Sequence, residues 1–260
     1  MKRWCLALLL ISIVSSFNCS PDDEVSNPED GPSNERIRLI DKVEFYRNGL
    51  FFDMTVDYDS ENRITKLVTT KYQGLTFLSE ITVSYTGNVV SSITDVTQFE
   101  NPFVRDDSIT YNVFFEDNVI RLLSDETGVD ISHTNGYVDS ITEYFTENMG
   151  VFDGMVLKRN ANDDLLETVD VHGSVVNTYR DFDIDKKTDL YGIVIDVMFQ
   201  DYLLVLGLKL TKNNPTTSAQ SILGSPEVRQ NFTYEYDSEG YVTRTYEGGA
   251  ASYLDIVYKE

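Results

Sequence analysis

Cysteine is nearly missing from this chain of 260 residues, which has only Cys5 and Cys19. Cys5 falls in an apolar run near the start. A domain built from the residues after Cys19 therefore has no disulfide to draw on and must be held by its core. Histidine is equally scarce. His133 and His172 stand far apart in sequence, and there is no His-x-x-x-His and no close cysteine pair. Zinc and copper sites want several imidazoles or thiolates converging, so both histidines read as polar residues flanking turns. A haem-ligand role stays open for either, with nothing to choose between them. There is no Gly-x-Ser-x-Gly elbow for a serine nucleophile. The glycine pair at 248–249, in Gly-Gly-Ala-Ala-Ser, lacks both the spacing and the lysine of a phosphate-cradling loop.

Bases are also few, 21 against 43 acids, for a formal net charge of -22. Nucleic-acid affinity rests on neutralising phosphates with Lys and Arg, so this balance excludes nucleic acid as a partner. It equally disfavours electrostatic adhesion to anionic lipid. The acids are spread along the chain rather than blocked, the pattern of a solvated surface. No apolar run approaches the roughly 20 residues a membrane-spanning helix needs.

What is present begins with a leader. Met1, Lys2, Arg3 and Trp4 form a short basic start, residues 5–14 are apolar, and Ser15 and Ser16 precede Cys19. Basic, apolar and small residues in that order make a secretory signal peptide. Ending on a cysteine, it resembles a bacterial lipoprotein signal, in which the leader 1–18 is removed and Cys19 becomes the acylated first residue. Phe17 and Asn18 depart from the stricter form of that signal. Removing Lys2 and Arg3 would leave 19 bases and a net charge of -24. Residues 19–35 carry Asp22, Asp23, Glu24, Pro28, Gly31 and Pro32 with little to bury, and are expected to form a flexible acidic tether. The rest, 36–260, is long enough for a single β-rich domain.

Past the tether, apolar and polar residues alternate with period two. Val43, Phe45, Met54, Val56 and Tyr58 belong to the clearest run, with an Asn48-Gly49 hairpin signal inside it. A unit then recurs. "MTVDYDSENRITKL" at 54–67 has the plan of "FTYEYDSEGYVTRT" at 232–245. Looser copies turn at Gly87-Asn88, Asp117-Asn118, Asn135-Gly136 and Asn162-Asp163. Asp59 and Asp237 are placed to accept backbone amides in their turns, with Asn62 or Gly240 supplying the left-handed residue. Six such hairpins predict an all-β domain of about a dozen strands, a curved antiparallel sheet or partly closed barrel. One stretch breaks the pattern. Leu190, Val194, Val197 and Met198 have helical spacing and 203–208 is almost continuously apolar, which predicts a short helical or irregular insert near 189–222 on the concave face. A fully buried strand is the other reading of it. The polar "TKNNPTTSAQ" after it reads as a loop.

The leader, the acids after Cys19, the Tyr-Asp-Ser-Glu hairpins and the late "LGLKLTKNNPTTS" resemble Bacteroidetes outer-membrane lipoproteins of the DUF4595 type. The likeness covers the domain in layout and is specific at "FTYEYDSEGYVTRTYEGG", 232–249, and "KNNPT", 212–216. It implies a curved β-rich fold, an outer-membrane location and a suggestion of porphyrin binding, with no residue motif that assigns such a site here.

The metal candidate is "DFDIDKKTD", where Asp181, Asp183 and Asp185 alternate along a strand. An EF-type Ca²⁺ loop wants Gly at its sixth position and Glu at its twelfth, and these hold Lys186 and Gly192. A solvated strand face is the competing reading. Taken together, the expectation is an outward-facing lipoprotein, anchored in the outer membrane through Cys19. It would act as a non-enzymatic module binding a porphyrin, a glycan or a protein of an uptake system. The alternatives are a secreted hydrolase using carboxylates on the concave face and a purely structural envelope protein.

Overall fold

The structure is a computed structural model describing residues 38–74, 76–184, 186, 200–220, 227–249 and 251–259. The leader, Cys19, the tether, Asp185 and the helically spaced Leu190, Val194, Val197 and Met198 lie outside those residues. Arg38–Glu260 forms one compact unit.

Sixteen strands follow one another with a single helix among the described residues. They are β1 (Ile40–Arg47), β2 (Leu50–Tyr58), β3 (Ile64–Lys71), β4 (Phe77–Thr86), β5 (Val89–Phe99), β6 (Asp107–Glu116), β7 (Val119–Leu123) and β8 (Thr127–Thr134). Then come β9 (Tyr137–Phe145), β10 (Val151–Arg159), β11 (Leu165–Asp170), β12 (Val175–Asp183), α1 (Gln200–Val205), β13 (Asn214–Gln220), β14 (Val228–Tyr236), β15 (Val242–Glu247) and β16 (Ser252–Tyr258). Every strand pairs antiparallel with its neighbours in sequence, and β16 returns to β1, so the sheet closes into a complete barrel. All odd-numbered strands run one way. The chain enters at the end where β1 begins, and the odd strands finish at the far end.

The period-two pattern decides which way the wall faces. Val43, Met54, Leu67, Ile81, Ile93, Leu122, Val129, Ile131, Ile141 and Leu165 all lie in one buried cluster on the inner face. The alternating residues carry charge. Lys66 reaches Glu80 at 2.7 Å, Arg121 reaches Asp130 at 2.8 Å and Lys158 reaches Glu167 at 3.1 Å, while Arg244 pairs with Asp255. A membrane-spanning barrel carries its apolar band outside and its polar residues in the lumen. Here the order is reversed, so the outer wall is built for water.

The recurring turn has one geometry used four times. Asp59, Asn160, Asp170 and Asp237 each accept, through one side-chain oxygen, the amides two and four residues on. The fourth residue of each loop, Asn62, Asp163, Gly173 or Gly240, has positive φ. Asparagine and glycine tolerate that region, which is why the sequence places them there. Tyrosines near the ends of three even-numbered strands have their own task. Tyr58 donates to the carbonyl of Ile40, Tyr85 to that of Ile64 and Tyr258 to that of Val242, each at 2.8 Å. Each bond ties the last residues of an even strand to the start of the odd strand before it.

The chain is the all-β antiparallel barrel that the hairpins predict, with sixteen strands rather than about a dozen and with full closure. One expectation needs correction. The "TKNNPTTSAQ" stretch is only in part a loop, because Asn214–Gln220 is β13, paired with β12 on one side and β14 on the other. Its inner face is Asn214 and Ser218, both buried and polar, so hydropathy carried no strand signal there. The insert accordingly ends before β13, and its described part is α1 with residues 206–213.

The shared turn yields a prediction. Asp237→Ala removes both accepted amide bonds and should lower unfolding stability by about 1–3 kcal/mol. Asp237→Asn should retain most of that stability, since Asn160 closes the same loop; denaturant midpoints of the two variants check it.

Candidate functional site

The insert fills part of the barrel interior. Tyr202, Leu203 and Val205 of α1 are buried in the main core cluster, together with Leu208 and Leu210 beyond it. The Tyr202 hydroxyl donates to Asp95 Oδ2 on β5 at 2.8 Å, and its ring meets Tyr111 of β6 edge-on at 5.8 Å. Asp95 shares the inner face with Ile93 and pairs with Ile81, so α1 lies against the inside of the wall. Ser79 also donates to Asp95, at 3.0 Å. Burial, and then the Asp95 charge, hold the Tyr202 phenol far above its ordinary pKa, so it serves as a neutral donor. Residues 207–213 then return across the entry end. Lys209 N bonds Gly136 O at 2.8 Å, Lys212 N bonds Asp163 O at 3.0 Å, and Asn213 Nδ2 donates to Asp164 Oδ1 at 2.7 Å.

With the entry end tied in this way, the far end is where inner-face side chains remain half-exposed. A single register row crosses five strands there, with Phe45 opposite Phe52, Phe52 opposite Lys71, Lys71 opposite Phe77, and Phe77 opposite Phe99. A bulge in β2 leaves Phe51 as the extra residue between Leu50 and Phe52, and its ring packs on this row as well. Phe51 and Phe52 both contact the Phe45 ring, at 5.7 and 5.6 Å. Phe77 meets Phe99 at 6.0 Å. Lys71 Nζ lies 5.3 Å from the Phe51 ring and 5.7 Å from the Phe77 ring, inside cation–π range.

Further round the same face, Glu143 of β9 stands opposite Val129 and Asp153. Burial raises its carboxyl above the ordinary value, and the Asp153 charge adds to that. Burial first, and then the charges of Glu143, Asp95 and Asp107, raise the Tyr111 phenol above its ordinary value. The far end also exposes apolar side chains, with Phe145 and Phe152 4.5 Å apart and Met149 in the turn between their strands.

The residues singled out by sequence are placed differently. Asp181 has positive φ and its carboxylate takes the Thr217 hydroxyl, while Asp183 accepts Tyr236 Oη at 2.6 Å. The break in strand alternation at Asp181 sends the two to different partners. Among the described residues no three His, Cys, Asp or Glu are arranged to hold a metal ion. His133 stands by the β8–β9 turn at the entry end and His172 in the β11–β12 turn at the far end, so they share no site. The aromatic row was not legible by motif. Its members are separated by tens of residues and meet only through register.

No family model matches the chain, and none of the curated proteins does. Among solved structures, the chain is similar to a porin-like protein from Bacteroides uniformis. The likeness has 12% identity and a TM-score of 0.39, over 85% of this chain and 96% of that one.

Two predictions follow from the inner wall. Tyr202→Phe leaves the ring in place but removes the donor to Asp95, and should cost about 1–2 kcal/mol in denaturant unfolding. Glu143 has a folded pKa above its unfolded one, so its contribution to stability declines as pH rises from the unfolded value through the folded one. Glu143→Gln should therefore raise the melting temperature at pH 7, by about 1–3 °C. The gain should vanish below the unfolded pKa of about 4, as a calorimetric pH series would read.

Proposed function

We propose that the chain is a non-enzymatic ligand-binding lipoprotein of the cell envelope, held at the outer membrane by acylation of Cys19 and facing outward on its acidic tether. The observation that carries the binding part is the aromatic row on the inner face, half-exposed at Phe51, Phe52, Phe77 and Phe99, in a barrel whose outer face carries ion pairs. A water-facing container with an apolar mouth suits capture of a small molecule. Phenylalanine rings stack equally on a porphyrin-type ring or on the C–H face of a sugar, so a haem-like ring and a glycan are the ligand classes to test. The DUF4595-type resemblance favours the same reading and rests on the "YDSEG" and "KNNPT" segments. Ca²⁺ at Asp181, Asp183 and Asp185 draws no support from the partners that Asp181 and Asp183 have taken. The hydrolase alternative rests on Glu143, whose raised carboxyl beside Asp153 has the character of a general acid.

Labelling with radioactive palmitate in a bacterial host tests the anchor. The wild type should carry label and sediment with outer membranes, and Cys19→Ala should lose both. An unlabelled wild-type chain free in the medium would remove the location. Haemin titration of the purified chain tests the porphyrin class, and an unmoved Soret band would end it.

A further inference from the structure

We infer that Lys71 and the rings around it form a binding site for an amphipathic carboxylate, an apolar ring or chain ending in a single acidic group. This deepens the binding-module reading and rests on it. Lys71 is the central member of the row Phe45, Phe52, Lys71, Phe77 and Phe99. Its position on β3 matches Leu67 and Thr69, so the side chain stands on the inner face rather than the charged outer wall. The next lysines differ. Lys42 lies 2.7 Å from Glu44 and Lys66 lies 2.7 Å from Glu80, whereas Lys71 has no ion-pair partner among the described acids.

An unpaired, half-buried ammonium is unusual in a chain with 43 acids and 21 bases, because acids are everywhere available to pair with it. What surrounds it is aromatic, with Phe51 at 5.3 Å and Phe77 at 5.7 Å. Ring faces solvate a cation in part, but leave its hydrogen-bond donors unused. Arg47, whose guanidinium lies 5.4 Å from the Phe45 ring, is paired to Glu247 at 3.0 Å, so the unpaired positive charge at the row is that of Lys71. Charge complementarity thus selects one anionic group, and Phe45, Phe51, Phe52, Phe77 and Phe99 select the apolar body attached to it. A desolvated carboxylate placed on Lys71 would gain a charge-assisted hydrogen bond while its ring or chain covered the phenylalanines.

The test is calorimetric titration of the purified chain with three probes sharing one ring: 1-naphthylacetate, 1-naphthylmethanol and 1-naphthylmethylammonium. The acid should bind at least tenfold tighter than the alcohol, and the ammonium should bind least. Lys71→Met should bring the acid down to the level of the alcohol and leave the alcohol unchanged, while Lys71→Arg should keep the preference. Phe77→Leu should weaken acid and alcohol together, and serves if Lys71→Met does not fold. Equal binding of acid and alcohol by the wild type, or an acid preference surviving Lys71→Met, would overturn the assignment. Failure of all three probes would overturn it too. The binding-module reading would then still stand or fall separately on the haemin and glycan titrations.

Discussion

A cylinder of sixteen strands has a wider inside than its own side chains fill; eight strands suffice to pack a lumen, and barrels of sixteen ordinarily enclose water. This barrel nonetheless turns its apolar residues inward, and Ile93, Leu122, Val129, Ile131 and Ile141 have no exposure at all. Dry inner walls require something against them. The segment after β12 supplies part of it, carrying Tyr202, Leu203, Val205, Leu208 and Leu210 into the core. The single long connection in an otherwise short-looped meander is therefore a packing element. Its one polar reach into the wall, Tyr202 to Asp95, is satisfied at 2.8 Å, so the inserted hydroxyl does not cost an unmade hydrogen bond.

The two ends of the barrel are built differently. At the entry end the tyrosines of β2, β4 and β16 cap backbone carbonyls, three of the four five-residue loops close, and residues 207–213 lie across the β8–β9 and β10–β11 turns. These bonds join neighbouring hairpins as well as strands within one hairpin, so they resist opening of the cylinder at that end. At the far end Phe103, Phe145, Met149 and Phe152 are exposed. Local stability follows buried contacts and shielded hydrogen bonds. The far rim is thus the end better able to admit a ligand, and it is also where the inner-face rings are half-covered.

Much of this was readable from period and turn chemistry. Asn48-Gly49, Gly87-Asn88, Asp117-Asn118 and Asn135-Gly136 all lie at hairpin tips, because positive φ restricts which residues can stand there. What escaped were elements whose signal is not local. β13 hides because Asn214 and Ser218 occupy its inward positions, and its strand identity comes from the partners on either side. Full closure depends on β16 finding β1 across the whole chain, which no window of sequence contains. The rim row is invisible for the same reason, since Phe52 and Lys71 become neighbours only once the β2–β3 register is known. Positive φ at Asp181 is another feature that period alone does not announce, and Asp181 and Asp183 have different hydrogen-bond partners.

Charge sets the remaining constraint on what the rim can hold. The chain bears -22 overall, so its far field repels anions. At physiological ionic strength that field decays over about 8 Å, whereas a contact at Lys71 acts at hydrogen-bond range in a partly desolvated setting. A strongly hydrated anion with many charges meets the repulsion in full and gains little from phenylalanine. A singly charged group on an apolar body meets less of it, and the rings around Lys71 compensate through buried area. The acidity of the chain therefore narrows the inner rim to ligands that are mostly apolar and only slightly anionic.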